Sequence, residues 1–351
     1  MSEAILATRR RKKDRARMSV MIKDTAINER DMIAAAERAL ADISKVRQGV
    51  GRVIFGQESV VERTLVAVLA GGHALLVGVP GLAKTKLVET LGTVLGLDSR
   101  RIQFTPDLMP SDILGSEVME QDEQGKRSFR FLSGPIFAQL LMADEINRAS
   151  PRTQSALLQA MQEYHVTVAG ARYDLPAPFH VLATQNPLEQ EGTYPLPEAQ
   201  LDRFLMQIDI VYPDIDAERR ILLETTGIED TRAPHVLDAE RLKDIQHLIR
   251  RMPVPESVVE AILKLVRSAR PGQGNADTDK HVSWGPGPRA SQALTLCARA
   301  RALYDGRLAP SIDDIKALAE PVLQHRMALT FAARAEGMSV RDVVARLAKD
   351  I

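Results

Sequence analysis

The run Gly78-Val79-Pro80-Gly81-Leu82-Ala83-Lys84-Thr85 has the glycines, lysine and hydroxyl of a phosphate-binding loop, in the order such a loop requires. The apolar run Ala74 to Val77 precedes it and a helical period opens at about Lys84. Backbone N–H groups and a helix N-terminus would then face an anion, with Lys84 reaching the β and γ phosphates and the Thr85 hydroxyl on Mg²⁺. Ala83 stands where glycine is expected before the lysine. Alanine fits there only if its φ stays negative on entering the helix.

A second group is Leu140-Leu141-Met142-Ala143-Asp144-Glu145, an apolar strand ending in adjacent carboxylates. Beside a phosphate loop, Asp144 would hold the water shell of Mg²⁺ and Glu145 would polarise an attacking water. Without that loop the pair would read as a solvated acidic turn. A third strand, His180 to Thr184, runs into Gln185-Asn186-Pro187, where Asn186 either orients the lytic water or forms a plain turn before proline. Arg203, in Leu201-Asp202-Arg203-Phe204, is either a finger that stabilises phosphoryl-transfer charge or a surface partner of Asp202 or Glu198.

Positioning these groups requires strands buried on both faces. Ala74–Val77, Leu140–Ala143 and Val181–Thr184 are short, continuous and apolar, as central strands of a parallel sheet are. Helical periods lie between them, so residues 31–212 read as an α/β nucleotide-binding core with a parallel sheet. Two β-hairpins are expected off that sheet. One pairs 116–119 with 128–132, and the other pairs 165–168 with 173–175 around Gly170. An amphipathic helix is expected over 31–47.

Beyond Pro213 no strand is expected. Segments 239–250, 256–270, 289–304 and 312–326 are helical in period, and Ser311 with Asp314 and Ser339 with Asp342 have capping-box spacing. Residues 213–351 therefore read as an all-helical C-terminal domain, with 271–288 as a Gly- and Pro-rich loop.

Composition sets bounds without reaching the chemistry. Forty-six basic residues balance forty-six acidic ones, so no global field favours nucleic acid or a membrane surface. Residues 1–30 form a tail whose first part is basic (Arg9, Arg10, Arg11, Lys12, Lys13, Arg15, Arg17) and is expected to be disordered. It lacks the apolar run of a signal peptide. The single cysteine, Cys297, excludes an intrachain disulfide framework, reads as a core thiol and fits a reducing, cytoplasmic compartment. Leu65 to Ala83 is apolar enough to resemble a membrane span, but Gly71 and Gly72 divide it into a helix and a buried strand. The seven histidines lack metal-ligand spacing.

Taken together, residues 50–212 closely resemble the MoxR family of AAA+ ATPases, in the helix-2-insert clade. The resemblance is carried by Gly78–Thr85, Thr105–Ser111, Ala143–Ser150, Ala183–Asp202 and Arg203-Phe204. Alanine before the loop lysine is itself typical of that family. The resemblance implies an AAA+ P-loop core with β-hairpin inserts and a small helical lid. It assigns Lys84 and Thr85 to Walker A, Asp144 and Glu145 to Walker B, Asn186 to sensor 1 and Arg203 to the arginine finger. Arg289 looks like sensor 2 of the lid, acting on its own or a neighbour's nucleotide. Gly56 and Gln57 fall at the adenine end. ATP and Mg²⁺ are the implied substrate and cofactor.

A finger distant from its own phosphates implies a head-to-tail homo-oligomeric ring, usually a hexamer. The leading expectation is ATP hydrolysis coupled to chaperone-like remodelling of a client with a von Willebrand factor A domain. A nucleic-acid motor is the alternative, thinly supported because Arg172 is the only basic residue of the second hairpin. Two others are a chelatase-type motor subunit and a nucleotide-gated scaffold without turnover, the latter disfavoured by Glu145.

Overall fold

The structure is a computed structural model and describes residues 29–121, 123, 127–189, 191–226 and 232–351. The basic segment of the tail and the tip of the first hairpin lie outside the described residues. Residues 29 and 30, expected in the tail, already belong to helix α1 (Glu29–Gly51). Helix α2 (Glu58–Leu69) then leads to β1 (Ala74–Val77), the phosphate loop and α3 (Lys84–Leu95).

Five parallel strands form the central sheet. To β1 are added β2 (Ser99–Gln103), then β5 (Leu140–Asp144), β8 (His180–Gln185) and β9 (Met206–Asp209), in the order β2-β5-β8-β1-β9. The three strands expected from their apolar runs are the three in the middle. The two edge strands were not expected. β2 is Ser-Arg-Arg-Ile-Gln, with only Ile102 buried, and β9 alternates buried and half-buried positions. Edge strands face solvent or a partial cover, so they lack the continuous apolar run that marks a two-sided core strand.

Period-two alternation divides the core between the two faces of the sheet. Ala74, Leu76, Leu140, Met142 and Leu182 point into one apolar cluster, shared with α1, α2 and α3. Leu75, Leu141, Ala143, Val181 and Ala183 point into the other, covered by α5 (Pro151–Glu163) through Leu157, Leu158 and Met161.

Both hairpins form. Helix α4 (Pro110–Leu114) leads into β3 (Gly115–Gln121) paired with β4 (Arg127–Ser133), and β6 (His165–Val168) pairs with β7 (Ala171–Asp174). Phe131 of β4 stacks on Tyr173 of β7 at 3.9 Å between ring centroids, joining the two hairpins.

After β9 and two further helices, α6 (Glu198–Leu201) before it and α7 (Ile215–Thr225) after it, the chain is mostly helical. It comprises α8 (Ala239–Arg251), α9 (Glu256–Ser268), α10 (Ala276–His281), α11 (Pro288–Tyr304), α12 (Ile312–Leu323), α13 (Phe331–Ala335) and α14 (Val340–Lys349). Both expected capping boxes are present. The expectation that strands stop at Pro213 is corrected by a two-stranded ribbon, β10 (Val282–Trp284) with β11 (Ala328–Leu329). Such short strands sit below the length at which alternation is readable. The 271–288 loop also contains α10, capped by Asn275. Helix α12 stops at Leu323, where a 3₁₀ turn, Gln324–Arg326, replaces its expected last turn.

These helices pack back onto the core rather than standing apart. Arg301 of α11 pairs with Glu62 of α2 at 3.1 Å, and Arg241 of α8 with Asp42 of α1 at 2.8 Å. Gln324 donates to the Gln207 carbonyl at 3.0 Å, covering the β9 edge. Cys297 is fully buried and burial pushes its thiol far above the ordinary range, so it is a core residue. No described helix is long and apolar enough to cross a membrane.

Candidate active site

All five strands are parallel, so their C-terminal ends share one edge and the loops there converge. The phosphate loop is pinned to the neighbouring strands by Gly78 N–H donating to the Gln185 carbonyl at 3.1 Å and Ile210 N–H donating to the Val77 carbonyl at 2.7 Å. Gly78 must be glycine for a steric reason: a Cβ there would lie 2.9 Å from the Ile210 carbonyl oxygen.

Ala83 corrects an expectation. Its φ is +54°, in the left-handed region, so alanine does not keep a negative φ. The loop turns left-handed immediately before α3, which brings successive N–H groups to one side as an anion-binding nest. An L-residue pays about 1–2 kcal/mol for that conformation, which is why glycine is common there.

Lys84 lies at the N-terminus of α3. Its Nζ donates to the Gly78 carbonyl at 2.5 Å and the Val79 carbonyl at 3.4 Å, so the ammonium lies inside the loop. Burial lowers its pKa below the ordinary lysine value, while Asp144, Glu145 and Glu189 oppose that shift. Thr85 follows in the first turn of α3, half-buried.

Asp144 ends β5 and is 8% exposed. Its Oδ1 accepts from the Thr184 hydroxyl at 2.5 Å, and its Oδ2 accepts from Arg101 Nη2 at 2.6 Å. Glu145 is left-handed too, with φ +55°. Its N–H donates to Thr184 Oγ1 at 2.9 Å, and its carboxylate accepts from Gln103 at 2.7 Å and Arg148 at 3.1 Å. Strained backbone at both Ala83 and Glu145 is the kind of cost that functional sites retain.

Asn186 follows β8, next to β5, and is buried. Its amide donates to Glu189 at 2.8 Å and its Oδ1 accepts from the Leu188 N–H at 3.1 Å. Gly56 and Gln57 lie on the other flank of the loop. A Cβ on Gly56, whose φ is +68°, would fall 2.1 Å from Ala217 of α7, so only glycine lets that helix close. Gln57 donates to the Leu82 carbonyl at 3.2 Å, and its buried Oε1 has no hydrogen-bond partner among the described residues. An orphan buried acceptor beside the loop suits the exocyclic amine of an adenine base.

Arg203 and Arg289 are elsewhere. Arg203 precedes β9, so it lies at the N-terminal edge of the parallel sheet, separated from Lys84 by at least the length of a four-residue strand, roughly 13 Å. Its Nη1 donates to the Leu158 carbonyl at 2.7 Å, and it pairs with neither Asp202 nor Glu198. Arg289, exposed in the first turn of α11, lies 3.5 Å from Asp202. A cavity of about 260 Å³ at this edge is lined by Arg203, Arg289, Arg250, Arg326, Asp202 and Gly72.

Sequence reading missed Thr184, Arg101, Gln103, Arg148 and Arg326 as neighbours of these groups, and it offered Asp202 to Arg203 where the structure pairs it with Arg326 and Arg289. For Gln103 the strand register is the missing information: it sits opposite Asp144 across β2 and β5.

Comparison with known proteins places the fold that carries these residues in a family. Residues 73–206 match the ATPase family associated with various cellular activities (AAA), and residues 275–347 match the AAA lid domain. Chaperone MoxR1 of Mycobacterium tuberculosis is 43% identical over 317 residues, spanning 90% of this chain and 81% of that protein. This chain is a MoxR-family AAA+ ATPase. Protein MoxR of Methylorubrum extorquens is 31% identical over 322 residues, 86% of this chain and 88% of its own length. A crystal structure of a Cytophaga hutchinsonii protein superposes with a TM-score of 0.85 at 38% identity, covering 92% of this chain and 98% of that one. The MoxR fold, an AAA+ parallel-sheet core with a helical lid, is therefore the fold of this chain.

Proposed function

We propose that this MoxR-type ATPase hydrolyses ATP to ADP and phosphate at sites shared between neighbouring subunits of a homo-oligomeric, hexameric ring, and uses the cycle to remodel a client protein. The observation that carries the shared site is the position of Arg203 and Arg289 on the sheet edge opposite Lys84. Neither arginine reaches its own phosphate loop, so both serve the adjacent subunit, including Arg289, whose role in cis or in trans the sequence leaves open. Core 31–212 and lid 213–351 then act together, because the finger and Arg289 come one from each.

Within one subunit, Gly78 to Thr85 cradle the phosphates, and Lys84 moves its Nζ from the loop carbonyls to the β and γ phosphate oxygens. Gln57 and Gly56 receive the adenine. Thr85 and Asp144 present the hard oxygen donors that suit Mg²⁺. Mg²⁺, when bound, supplies charge neutralisation across the β and γ phosphates. Glu145 polarises the attacking water once its carboxylate leaves Gln103 and Arg148, and Asn186 orients that water.

Client contact is assigned to the paired hairpins. Met119 and Phe129 face each other across β3 and β4 and are 56% and 72% exposed, an apolar pair suited to gripping polypeptide. A client with a von Willebrand factor A domain is carried by the family resemblance, and the mycobacterial relative, named a chaperone, agrees with remodelling. A nucleic-acid motor is disfavoured further, since Arg172 is paired with Asp174 at 2.8 Å.

The test mixes Arg203→Ala subunits with Lys84→Ala subunits, each inactive alone. Recovery of ATPase activity in mixed rings is expected, because an intact loop then meets an intact finger. No recovery, with mixed rings demonstrated by mass, overturns the shared site.

A further inference from the structure

Asp202 directly precedes Arg203 in the chain and its side chain lies beside Arg289, and its two carboxylate oxygens have different partners. Oδ1 accepts from Arg326 Nε at 2.8 Å. Oδ2 faces Arg289 Nη1 at 3.5 Å, beyond ordinary hydrogen-bond length.

Arg326 is 2% exposed and its guanidinium is wholly committed. It donates to the Phe204 carbonyl at 2.6 Å, the Leu205 carbonyl at 3.2 Å, the Asp202 carbonyl at 3.3 Å and, at the end of α12, the Val322 carbonyl at 2.6 Å. The residues before it grip the same stretch: His325 bonds the Phe204 carbonyl at 3.1 Å and Gln324 the Gln207 carbonyl at 3.0 Å. One turn of the lid thus fixes the backbone on both sides of Arg203. A buried arginine cannot move without leaving several carbonyls unpaired, so the finger loop and this lid turn form one rigid piece.

We propose that Asp202 is a positioning residue: held by Arg326, it keeps Arg289 beside Arg203 so that both arginines meet the neighbour's γ-phosphate as one lid-coupled unit. The long Asp202–Arg289 approach sets orientation without locking the guanidinium, which stays free to exchange the carboxylate for a phosphate oxygen. This inference rests on the shared-site reading above and adds to it how the lid's position is passed to the finger.

Asp202→Asn tests it. Asparagine keeps an acceptor for Arg326 and removes the charge that orients Arg289. A fall in kcat of about 10–100-fold is expected from misplaced transition-state contacts, with KM for ATP within about twofold of the parent. In an Arg289→Ala background the same change should add little beyond what Arg289→Ala already costs. Mixed with Lys84→Ala subunits, Asp202→Asn subunits should regain activity, since the partner then supplies an intact Asp202, Arg203 and Arg289.

An unchanged kcat, a raised KM alone, or full multiplicativity with Arg289→Ala overturns the proposal. So does failure of this mixture to recover while the Arg203→Ala and Lys84→Ala mixture does. If that control mixture also fails, the shared site itself is wrong and the proposal falls with it. Should Asp202→Asn not fold into rings, Asp202→Glu, which keeps the charge but displaces it by a methylene, carries the same readouts.

Discussion

The two edges of the central sheet differ in how their charges are committed. At the C-terminal edge Lys84 faces Asp144, Glu145 and Glu189, and Arg101 and Arg148 are already bound to the first two of these carboxylates. At the N-terminal edge one carboxylate, Asp202, is surrounded by Arg203, Arg250, Arg289 and Arg326. On the proposed reading the first edge binds a nucleotide and orients a water, but its arginines are paired with carboxylates and leave Lys84 to meet the negative charge of a phosphoryl transition state. The second can supply that charge but has no loop to hold phosphates. Under the proposed function each is half of a site, and subunit contact would then control turnover.

The sharpest way to break this contrast is Glu145→Gln at the nucleotide edge. Turnover should fall by about a hundredfold or more, as expected for removing a general base, while ATP binding persists. Stopped-flow binding and steady-state phosphate release measure the two separately, and unchanged turnover would remove Glu145 from the chemistry.

A smaller effect concerns how the opposite edge is built. Buried His73 bonds the Met161 carbonyl and accepts from the Val181 N–H, and buried His180 bonds the Gly72 carbonyl and Gln246. Burial lowers their pKa values to about 3 and about 4. Both are bases with folded pKa values below the unfolded 6.5, so the folded state resists protonation. Their stability contribution is present above pH 6.5 and is lost as pH falls from there towards 4. Each group contributes up to about 1.4 kcal/mol per pH unit over that window. Thermal melting from pH 7 to 4 should show the decline, and His73→Gln should make it shallower. An unaltered slope would show that His73 does not remain neutral.

The smallest expected effect belongs to the phosphate loop. Ala83→Gly relieves a left-handed alanine and should raise stability by up to about 1 kcal/mol, offset by glycine's greater freedom in the unfolded chain. Melting of the nucleotide-free protein measures it. Destabilisation would mean that the Ala83 methyl group makes contacts worth more than the strain.

The sequence was legible where chemistry and burial leave local marks. Ala74–Val77, Leu140–Asp144 and His180–Gln185 read as strands because both faces are buried, and Lys84, Asp144, Glu145 and Asn186 were found because each follows such a run or its loop. Ser99–Gln103 and Met206–Asp209 were not found, since an edge strand needs no two-sided apolar signal. Ala83 was misjudged because a preference for negative φ yields to a loop pinned at both ends.

What the sequence determined by itself is therefore the set of candidate reacting groups and the parallel-sheet core that carries them, because these follow from residue type and short-range period. What only the tertiary structure decided is which groups share an edge. Strand direction sends Arg203 and Arg289 away from Lys84, strand register places Gln103 opposite Asp144, and the turn after α12 brings Arg326 to Asp202. Those pairings join residues far apart in the chain through hydrogen bonds and buried charge, and no local spacing encodes them.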